Sequence, residues 1–344
     1  MPALIRVQSK AAVYVAATRQ HVGKTSTCLG ILQGLTSRLD RIGFLKPVGQ
    51  ESVAVQGGSL RVDKDVAVAK GKTELFTVVE GTGHTGVGSI VGCNNARIAA
   101  ELGVDMVLVA NGGLGSAFDD LALNYAMCKA HGVKIRGVIL NKVLPSRVEM
   151  LREYFPKAMR HWGGTVSLLG VVPNSPTLSN PSMLDFEGLF ATTMLNARTR
   201  RHQQYDKTTL VTAGVQRFVT KLSSSEYTRA LFVTHVSRND IITGFLSYAQ
   251  EFERVQKKPY TGGLILTGSP SDDHPQDHIV EMITNASAPV LYAPIPTFEA
   301  MVKPTVNAVA CASAAKFNPT DEAKVRACGE HYASHIDFDA ILAR

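Results

Sequence analysis

A chain of 344 residues is long enough for two domains, and 45% hydrophobic with 19% charged residues allows a substantial core. The formal net charge of +7 suits anionic small molecules, but the basic residues are scattered, so we expect no nucleic-acid partner. The five cysteines fall singly, at no metal-ligand spacing, and no apolar run approaches a membrane span. Residues 1–10 are too few for a signal peptide. We therefore expect a cytoplasmic protein with reduced cysteines and no membrane partner.

The first predicted strand leads into a phosphate-binding loop. Apolar residues 11–16 predict a buried strand, and an amphipathic helical pattern follows the loop. Between them, Gly23-Lys24-Thr25 forms the second half of the pattern GxxxxGK[ST], although Thr18 replaces its first glycine. Backbone amides at the head of a helix attract an anion, and the helix dipole strengthens that attraction. The sequence therefore predicts that nucleotide phosphates bind here.

The side chains of the loop have distinct predicted roles. Lys24 would reach the β- and γ-phosphates, and the Thr25 hydroxyl would hold Mg²⁺. The full set of residues expected to contact the nucleotide in this loop is Gln20, His21, Val22, Gly23, Lys24, Thr25 and Ser26.

Strands and helices alternate beyond the loop. Further strands are predicted over 42–48, 75–79, 106–110, 135–140 and 166–172. Helices are predicted over about 95–102, 116–131 and 146–162. This alternation predicts an α/β fold, a P-loop parallel sheet with helices on both faces, followed by a second, smaller α/β domain.

The second domain begins after a polar, proline-containing stretch. Its predicted strands lie near 209–212, 231–234, 264–267 and 290–292, with helices between them and an amphipathic helix near the end. The basic run 198–201 favours an exposed connector over a phosphate-binding patch. The predicted organisation is a nucleotide-binding domain over 1–190, a linker over 191–207, a second α/β domain over 208–315 and a helical tail over 316–344.

Polar residues follow the predicted strands of the first domain, where ligands bind in an open parallel sheet. Lys46 follows the second strand, Glu80 the third, the glycine-rich turn 111–116 the fourth, and Asn141 the fifth. A cation, an acid, an anion-binding turn and an amide would then face one crevice, which suits ATP. Each residue also has a plain structural alternative: a surface lysine, a cap for a glycine turn, or a loop asparagine.

A magnesium shell is the second expectation at this edge. Glu80 would bind the ion directly or through water, and Asp63 or Asp65 could complete the shell. Solvated acids in a polar loop remain the alternative for the two aspartates. Asn141 could read the base, since an amide both donates and accepts hydrogen bonds.

These motifs, taken together, resemble dethiobiotin synthetase. The likeness is carried by residues 17–25, Lys46-Pro47-Val48, Val79-Glu80-Gly81 and Ile139-Leu140-Asn141, which fall in that family's order. The chain resembles most the dethiobiotin-synthetase-like N-terminal regions of some phosphotransacetylases. Its second half resembles their DRTGG domain through residues 237–242, 261–268 and 296–299, although the DRTGG letters are not kept.

The resemblance implies particular roles for the residues that match it. It implies Lys24 on the phosphates, Lys46 near the γ-phosphate or a carbamate, and Asn141 on adenine. It also implies a metal shell of Thr25, Glu80 and Asp65, or Asp63 in place of Asp65.

Two departures bear on the substrate. Gln20 and His21 stand where the synthetase has a threonine and a glutamate facing its diamine, and the segment from Asp65 to Glu80 is far shorter than the family's. We expect no dethiobiotin synthesis for these reasons. The acyltransferase domain of a full phosphotransacetylase is expected to be a separate partner.

Three functions remain open, all with ATP and Mg²⁺ as expected cofactors. The favoured one is a nucleotide-sensing regulatory module linked to phosphotransacetylase and acetyl metabolism. The alternatives are an ATP-dependent carboxylate or carbamate ligase of the dethiobiotin synthetase or cobyrinate diamide synthase type, and a dimeric switch ATPase. Lys24, Lys46 and Arg19 would be the catalytic residues. Arg19 is included because it occupies the place where switch ATPases carry a lysine that reaches across a homodimer.

Overall fold

The computed structural model describes residues 12–48, 52–55, 60–63, 76–163, 166–269, 275–301 and 321–343. The chain divides into two compact units, the first formed by 1–175 with 319–344 and the second by 176–318. Asp65 and Cys311 lie outside the described residues, and Asp63 is described by its backbone alone. The second domain was predicted over 208–315, so the observed unit begins earlier in the chain than expected.

The first unit is built on a six-stranded parallel sheet, which confirms the predicted P-loop α/β architecture. Its strands are β1 (Ala12–Ala17), β2 (Ile42–Leu45), β5 (Phe76–His84), β6 (Met106–Asn111), β7 (Ile135–Val143) and β8 (Ser167–Pro173). Its helices before the second unit are α1 (Lys24–Thr36), α2 (Asn95–Leu102), α3 (Ser116–Ala130) and α4 (Val148–Ala158). The strands lie in the order β2-β5-β1-β6-β7-β8 and pair in parallel.

The strand order explains where the loop lies. All six residues of β1 are buried, as expected for a central strand covered on both faces. From β1 the chain first builds β2 and β5 on one side and then β6, β7 and β8 on the other. The order therefore reverses at β1, and a ligand crevice opens at such a switch point, beyond the carboxyl ends of the strands. The loop that follows β1 lies at that point.

Two local predictions need correction. The polar stretch after β2 contains an antiparallel pair, β3 (Ser52–Val55) with β4 (Leu60–Asp63), which the sequence analysis did not predict. The third strand was expected to end at residue 79, but β5 continues to His84 through an irregularity in its pairing with β1. The apolar pattern is interrupted at Glu80, because an acid is buried there. The strand itself continues past Glu80.

The C-terminal segment belongs to the first unit, which differs from the separate helical tail predicted over 316–344. It forms two helices, α10 (Glu322–Ala333) and α11 (Phe338–Leu342). Between them, Ile336 bridges Gly170 in the edge strand β8, and the Asp337 amide donates to the Leu169 carbonyl at 2.7 Å. The helix α10 packs on α1, the helix that follows the loop.

Glycines permit the close approach of α10 and α11 to α1. A Cβ built on Gly30 would lie 2.1 Å from the Cβ of Tyr332, and one on Gly34 would lie 1.9 Å from the Phe338 ring. A Cβ on Gly329 of the facing helix would meet the Gln33 side chain at 3.0 Å. Real side chains do not pack at the two shorter distances, so two successive turns of α1 need glycine here.

The second unit contains a four-stranded parallel sheet. Its strands are β9 (Lys207–Leu210), β10 (Ala230–His235), β11 (Gly263–Thr267) and β12 (Val290–Ala293), in the order β12-β11-β10-β9. Its labelled helices are α5 (Pro176–Ser179), α6 (Met183–Phe190), α7 (Val215–Leu222), α8 (Asn239–Gln256) and α9 (Asp277–Thr284). One face packs against α7, α8 and α9, and the other against α6 and the segment that follows it.

The predicted exposed linker at 191–207 is part of this second unit. Tyr205 is buried in the core beneath the sheet, and Asn196 donates to three backbone carbonyls near β12. Arg201 pairs with Glu187 at 2.8 Å, and Arg200 donates to backbone carbonyls within the unit. The basic run appeared solvated from sequence because the partners of Arg200 and Arg201 are distant along the chain.

Among the described residues, no helix is both long enough and apolar enough to cross a membrane. Three of the four described cysteines, Cys28, Cys128 and Cys328, are buried, while Cys93 is exposed. Burial raises the pKa of the Cys128 thiol to about 12, which fits the packing role predicted for these residues.

Replacing Gly30 with alanine should destabilise the first unit. The new methyl group would overlap the Tyr332 side chain, and overpacking of this kind costs about 1–3 kcal/mol of unfolding free energy. Gly188, a helical glycine of α6 with open space around its Cβ position, provides the control. Gly188→Ala should be neutral or stabilising, since alanine favours a helix over glycine by up to about 1 kcal/mol. Urea unfolding measures both, and equal stability of Gly30→Ala and wild type would contradict this packing.

Candidate functional site

The loop between β1 and α1 has a fixed backbone path. Gly23 immediately precedes the helix in a left-handed conformation, with φ 90°, that glycine adopts without strain. A Cβ at Gly23 would also lie 2.3 Å from the Asn141 side-chain nitrogen. His21 has a positive φ of 63°, which is unusual for a residue other than glycine. The loop is therefore strained at one residue and depends on glycine at another.

Hydrogen bonds with two other strands, β7 and β6, hold this path. Asn141, at the end of β7, donates to the Val22 carbonyl at 2.6 Å, and Lys142 Nζ donates to the His21 carbonyl at 2.6 Å. At the other end of the loop, the Thr18 amide donates to the Val109 carbonyl at 2.9 Å. These bonds fix the loop without a ligand, so its amides at the head of α1 are preorganised.

A buried acid engages the two key side chains of the loop. Lys24 Nζ lies 3.1 Å from Glu80 Oε1, and the Thr25 hydroxyl donates to the same oxygen at 2.8 Å. Glu80 is fully buried, and the Lys24 side chain is 14% exposed. A buried carboxylate is stable as an ion only when paired and hydrogen-bonded, which Lys24 and Thr25 provide. Burial and then the Glu80 charge raise the pKa of nearby Tyr14 well above its usual range.

The donor set fits magnesium. Thr25 and Glu80 bring a hydroxyl and a carboxylate oxygen together, and Mg²⁺ is usually held by one or two carboxylates with phosphates and waters. The described residues contain no cluster of three or more histidine, cysteine, aspartate or glutamate side chains that could hold a metal alone. The predicted contribution of Asp63 or Asp65 involves side chains outside the described structure.

The structure places the remaining predicted residues as follows. Lys46 follows Leu45, which pairs with Val79, so it lies at the same sheet edge as Glu80. Gln20 and His21 are exposed on the loop, whereas Val22 is buried and contributes its backbone. Their roles toward a ligand stay predictions.

Asn141 and Ser26 are turned into the protein in this structure. Asn141 is 1% exposed, and beyond its bond to Val22 it accepts a hydrogen bond from the Lys142 amide at 2.8 Å. Ser26 is buried in the first turn of α1. The Asn141 side chain supports the loop through its bond to the Val22 carbonyl. The predicted contact of Asn141 with adenine stays a prediction.

Arg19 is paired within the chain. Its guanidinium donates through Nε to Asp120 Oδ2 of α3 at 2.7 Å and through Nη2 to the same oxygen. The side chains are 50% and 28% exposed, so water screens the pair and limits its contribution to about 0.2–1 kcal/mol. To reach a second subunit, the Arg19 side chain would have to break only this weak pair with Asp120. The proposed role of Arg19 in a homodimer stays a prediction.

Sequence reasoning missed several buried asparagines that support the crevice. Asn124 of α3 donates to the Thr18 carbonyl at 2.9 Å and accepts from the amide and hydroxyl of Thr85. Asn95 donates to the Thr82 carbonyl and accepts from the Tyr14 hydroxyl at 2.9 Å. These roles come from tertiary contacts, which no local spacing in the sequence encodes. A buried amide without partners is costly, so such a residue indicates a polar network.

A phosphate-binding loop at the switch point of a parallel sheet, with a buried acid behind its lysine and threonine, defines a P-loop nucleotide-binding domain. A family model described as an AAA domain matches residues 11–75 and 56–182, together half of the chain. The chain belongs to this AAA domain family.

Curated relatives extend the similarity into the second unit. Phosphate acetyltransferase of Deinococcus radiodurans is 24% identical over 330 residues, covering 83% of this chain and 45% of its own length. The Nitratidesulfovibrio vulgaris enzyme of the same name is 22% identical and covers 96% of this chain and 51% of its own. The chain thus spans about half the length of these relatives.

One solved structure is similar to part of the chain. A chain of the MinC:MinD cell division protein complex from Aquifex aeolicus covers 49% of this chain and 83% of its own, at 13% identity and a TM-score of 0.35. This similarity is too weak to support a functional argument.

The Arg19–Asp120 pair should show a small, salt-sensitive coupling. A double-mutant cycle with Arg19→Ala and Asp120→Ala, measured by urea unfolding at low salt, should give about 0.2–1 kcal/mol. The coupling should decrease in about 1 M salt, where screening acts within a few ångströms. Asp119→Ala provides the control, because Asp119 is an exposed acid next in sequence and should not couple to Arg19. A coupling that is absent at low salt, or equal for Asp119, would contradict the pair.

Proposed function

We propose that this protein binds Mg-ATP at the P-loop and acts as a nucleotide-sensing regulatory module linked to acetyl metabolism. The observation that carries the nucleotide part is the shared hydrogen bonding of Lys24 and Thr25 to Glu80 Oε1. A lysine ammonium and a threonine hydroxyl, adjacent at the head of a helix, suit a phosphate chain with its metal ion.

The chain's own residues have clear tasks in such a site. The amides around Gly23 would bind phosphate oxygens, and Lys24 would exchange its bond to Glu80 for one to the β- and γ-phosphates. Glu80 and Thr25 would hold Mg²⁺, which neutralises phosphate charge when bound. Because Glu80 is buried, its charge needs a cation in either state, and the ion would replace Lys24 in that role. Nucleotide occupancy would therefore rearrange the contacts of the loop.

The link to acetyl metabolism rests on the relatives. Phosphate acetyltransferases align with 83% and 96% of this chain, so the likeness spans residues of both compact units. The described part of the second unit holds no group of three or more histidine, cysteine, aspartate or glutamate side chains that could hold a metal ion. A separate acyltransferase is the partner that this proposal implies.

Lys24→Ala should weaken Mg-ATP binding by roughly one to two decades, since a hydrogen bond to a charged group contributes about 1.5–3 kcal/mol. Isothermal titration calorimetry on the full chain measures the affinity. Lys207→Ala is a matched control, because it also removes a lysine that pairs with a glutamate, Glu226, but in the second unit. The control should bind as wild type does. Wild-type affinity in Lys24→Ala would show that the phosphates bind elsewhere.

ATP should bind more tightly than GTP. Guanine presents donors that an acid two residues after Lys142 could accept, and Leu144 stands in that position, 54% exposed after the end of β7. Without that charge-assisted bond, GTP lacks a contribution of about 1.5–3 kcal/mol, a factor of roughly ten or more. Competition of both nucleotides against a fluorescent ADP measures the ratio. Equal affinities would count against the predicted base site.

A further inference from the structure

We propose that Tyr332, carried by the C-terminal helix α10, is a positioning residue of the nucleotide site. Its hydroxyl would hold the start of α1 and the Gly23 backbone in the shape that binds phosphates. This inference rests on the proposed nucleotide function and adds a residue more than 300 positions from the loop in sequence.

Tyr332 packs closely on α1, and its side chain extends to the loop. Gly30 leaves no space between its backbone and the Tyr332 Cβ, so the base of the side chain lies directly on α1. From there the side chain extends toward the amino end of the helix. The Tyr332 oxygen lies 3.3 Å from the position that a Cβ on Gly23 would occupy. The side chain thus runs along α1 from Gly30 toward Gly23, and Tyr332 is 6% exposed.

In this proposal the Tyr332 oxygen joins two parts of the loop. The position of a Cβ on Gly23 lies 3.3 Å from that oxygen and 2.3 Å from the side-chain nitrogen of Asn141, at the end of β7, so both groups face the same point of the backbone. Hydrogen bonding by Asn141 and by Ser26, in the first turn of α1, lowers the pKa of the Tyr332 hydroxyl against the larger effect of burial. Asn141 in turn donates to the Val22 carbonyl at 2.6 Å. Burial raises the pKa of the Tyr332 hydroxyl well above its usual range, so it stays neutral and keeps its proton for hydrogen bonding. The proposed network would therefore run from α10 through Asn141 to the peptide just before Gly23.

This network acts on the amides that matter for phosphate binding. The groups that would bind the phosphates lie between Val22 and Ser26, and Tyr332 contacts the network at both ends of that segment. Tyr332 lies behind the loop, buried in the first unit, and acts through Ser26 and Asn141. Loss of its hydroxyl should leave the fold in place and loosen the loop. Preorganised amides bind an anion more tightly than mobile ones, because less conformational entropy is lost on binding.

The test compares Tyr332→Phe with Tyr260→Phe in the full chain. Tyr260 is a buried tyrosine of the second unit whose hydroxyl has no hydrogen-bond partner among the described residues, so its loss should not affect the loop. Two readouts are measured for each: the Kd for Mg-ADP by calorimetry, and hydrogen exchange of peptides covering residues 18–27 without nucleotide. Ser26→Ala removes the same hydrogen bond from the other side and serves as a second variant.

The proposal predicts that Tyr332→Phe raises the Kd about 3- to 10-fold, the loss expected for one hydrogen bond. Exchange should rise within 18–27 and stay unchanged in the second unit. Ser26→Ala should have less effect on the Kd in the Tyr332→Phe background than in wild type. A wild-type Kd, or exchange that rises evenly across the chain, would overturn it. If the wild-type chain binds no nucleotide, the proposed function fails, while the exchange arm still decides whether Tyr332 fixes the loop.

Discussion

The buried charge of Glu80 is the constraint on which the candidate site depends. A carboxylate with no exposed surface needs a cation and a hydrogen-bond donor, and Lys24 and Thr25 supply both through one oxygen. This pairing draws the first turn of α1 toward β5. Because the same two side chains are those that a nucleotide phosphate and its metal would use, the contact that stabilises the free site is also the one that binding would exchange.

Support for the loop comes from elements far apart in the chain. Asn124 of α3 and Asn141 of β7 donate hydrogen bonds to carbonyls of the loop. The helix α10 follows the second unit in the chain but belongs to the first unit, as the loop does. Glycines at 30 and 34 let the returning segment approach the backbone of α1 closely. The phosphate loop is therefore a local motif whose geometry depends on residues distributed over the whole first unit.

Much of this architecture could be predicted from sequence, because buried parallel strands and amphipathic helices leave clear apolar patterns. The central strand β1 and the loop motif after it are examples. The pattern failed where polar groups are buried: Glu80 ended the predicted third strand early, although β5 continues to His84. It failed again for Arg200 and Arg201, whose partners lie elsewhere in the second unit. Asn124 and Tyr332 were missed because their roles come from tertiary contacts that no local spacing encodes.

The most direct test of the account is a crystal structure of the full chain with Mg²⁺ and a non-hydrolysable ATP analogue. The account predicts one nucleotide at the head of α1, with phosphate oxygens on the amides around Gly23. Lys24 Nζ would have moved from Glu80 to the phosphates, and Glu80 with Thr25 would lie beside the metal ion. A structure in which Lys24 remains on Glu80 while the analogue binds elsewhere in the chain would contradict it.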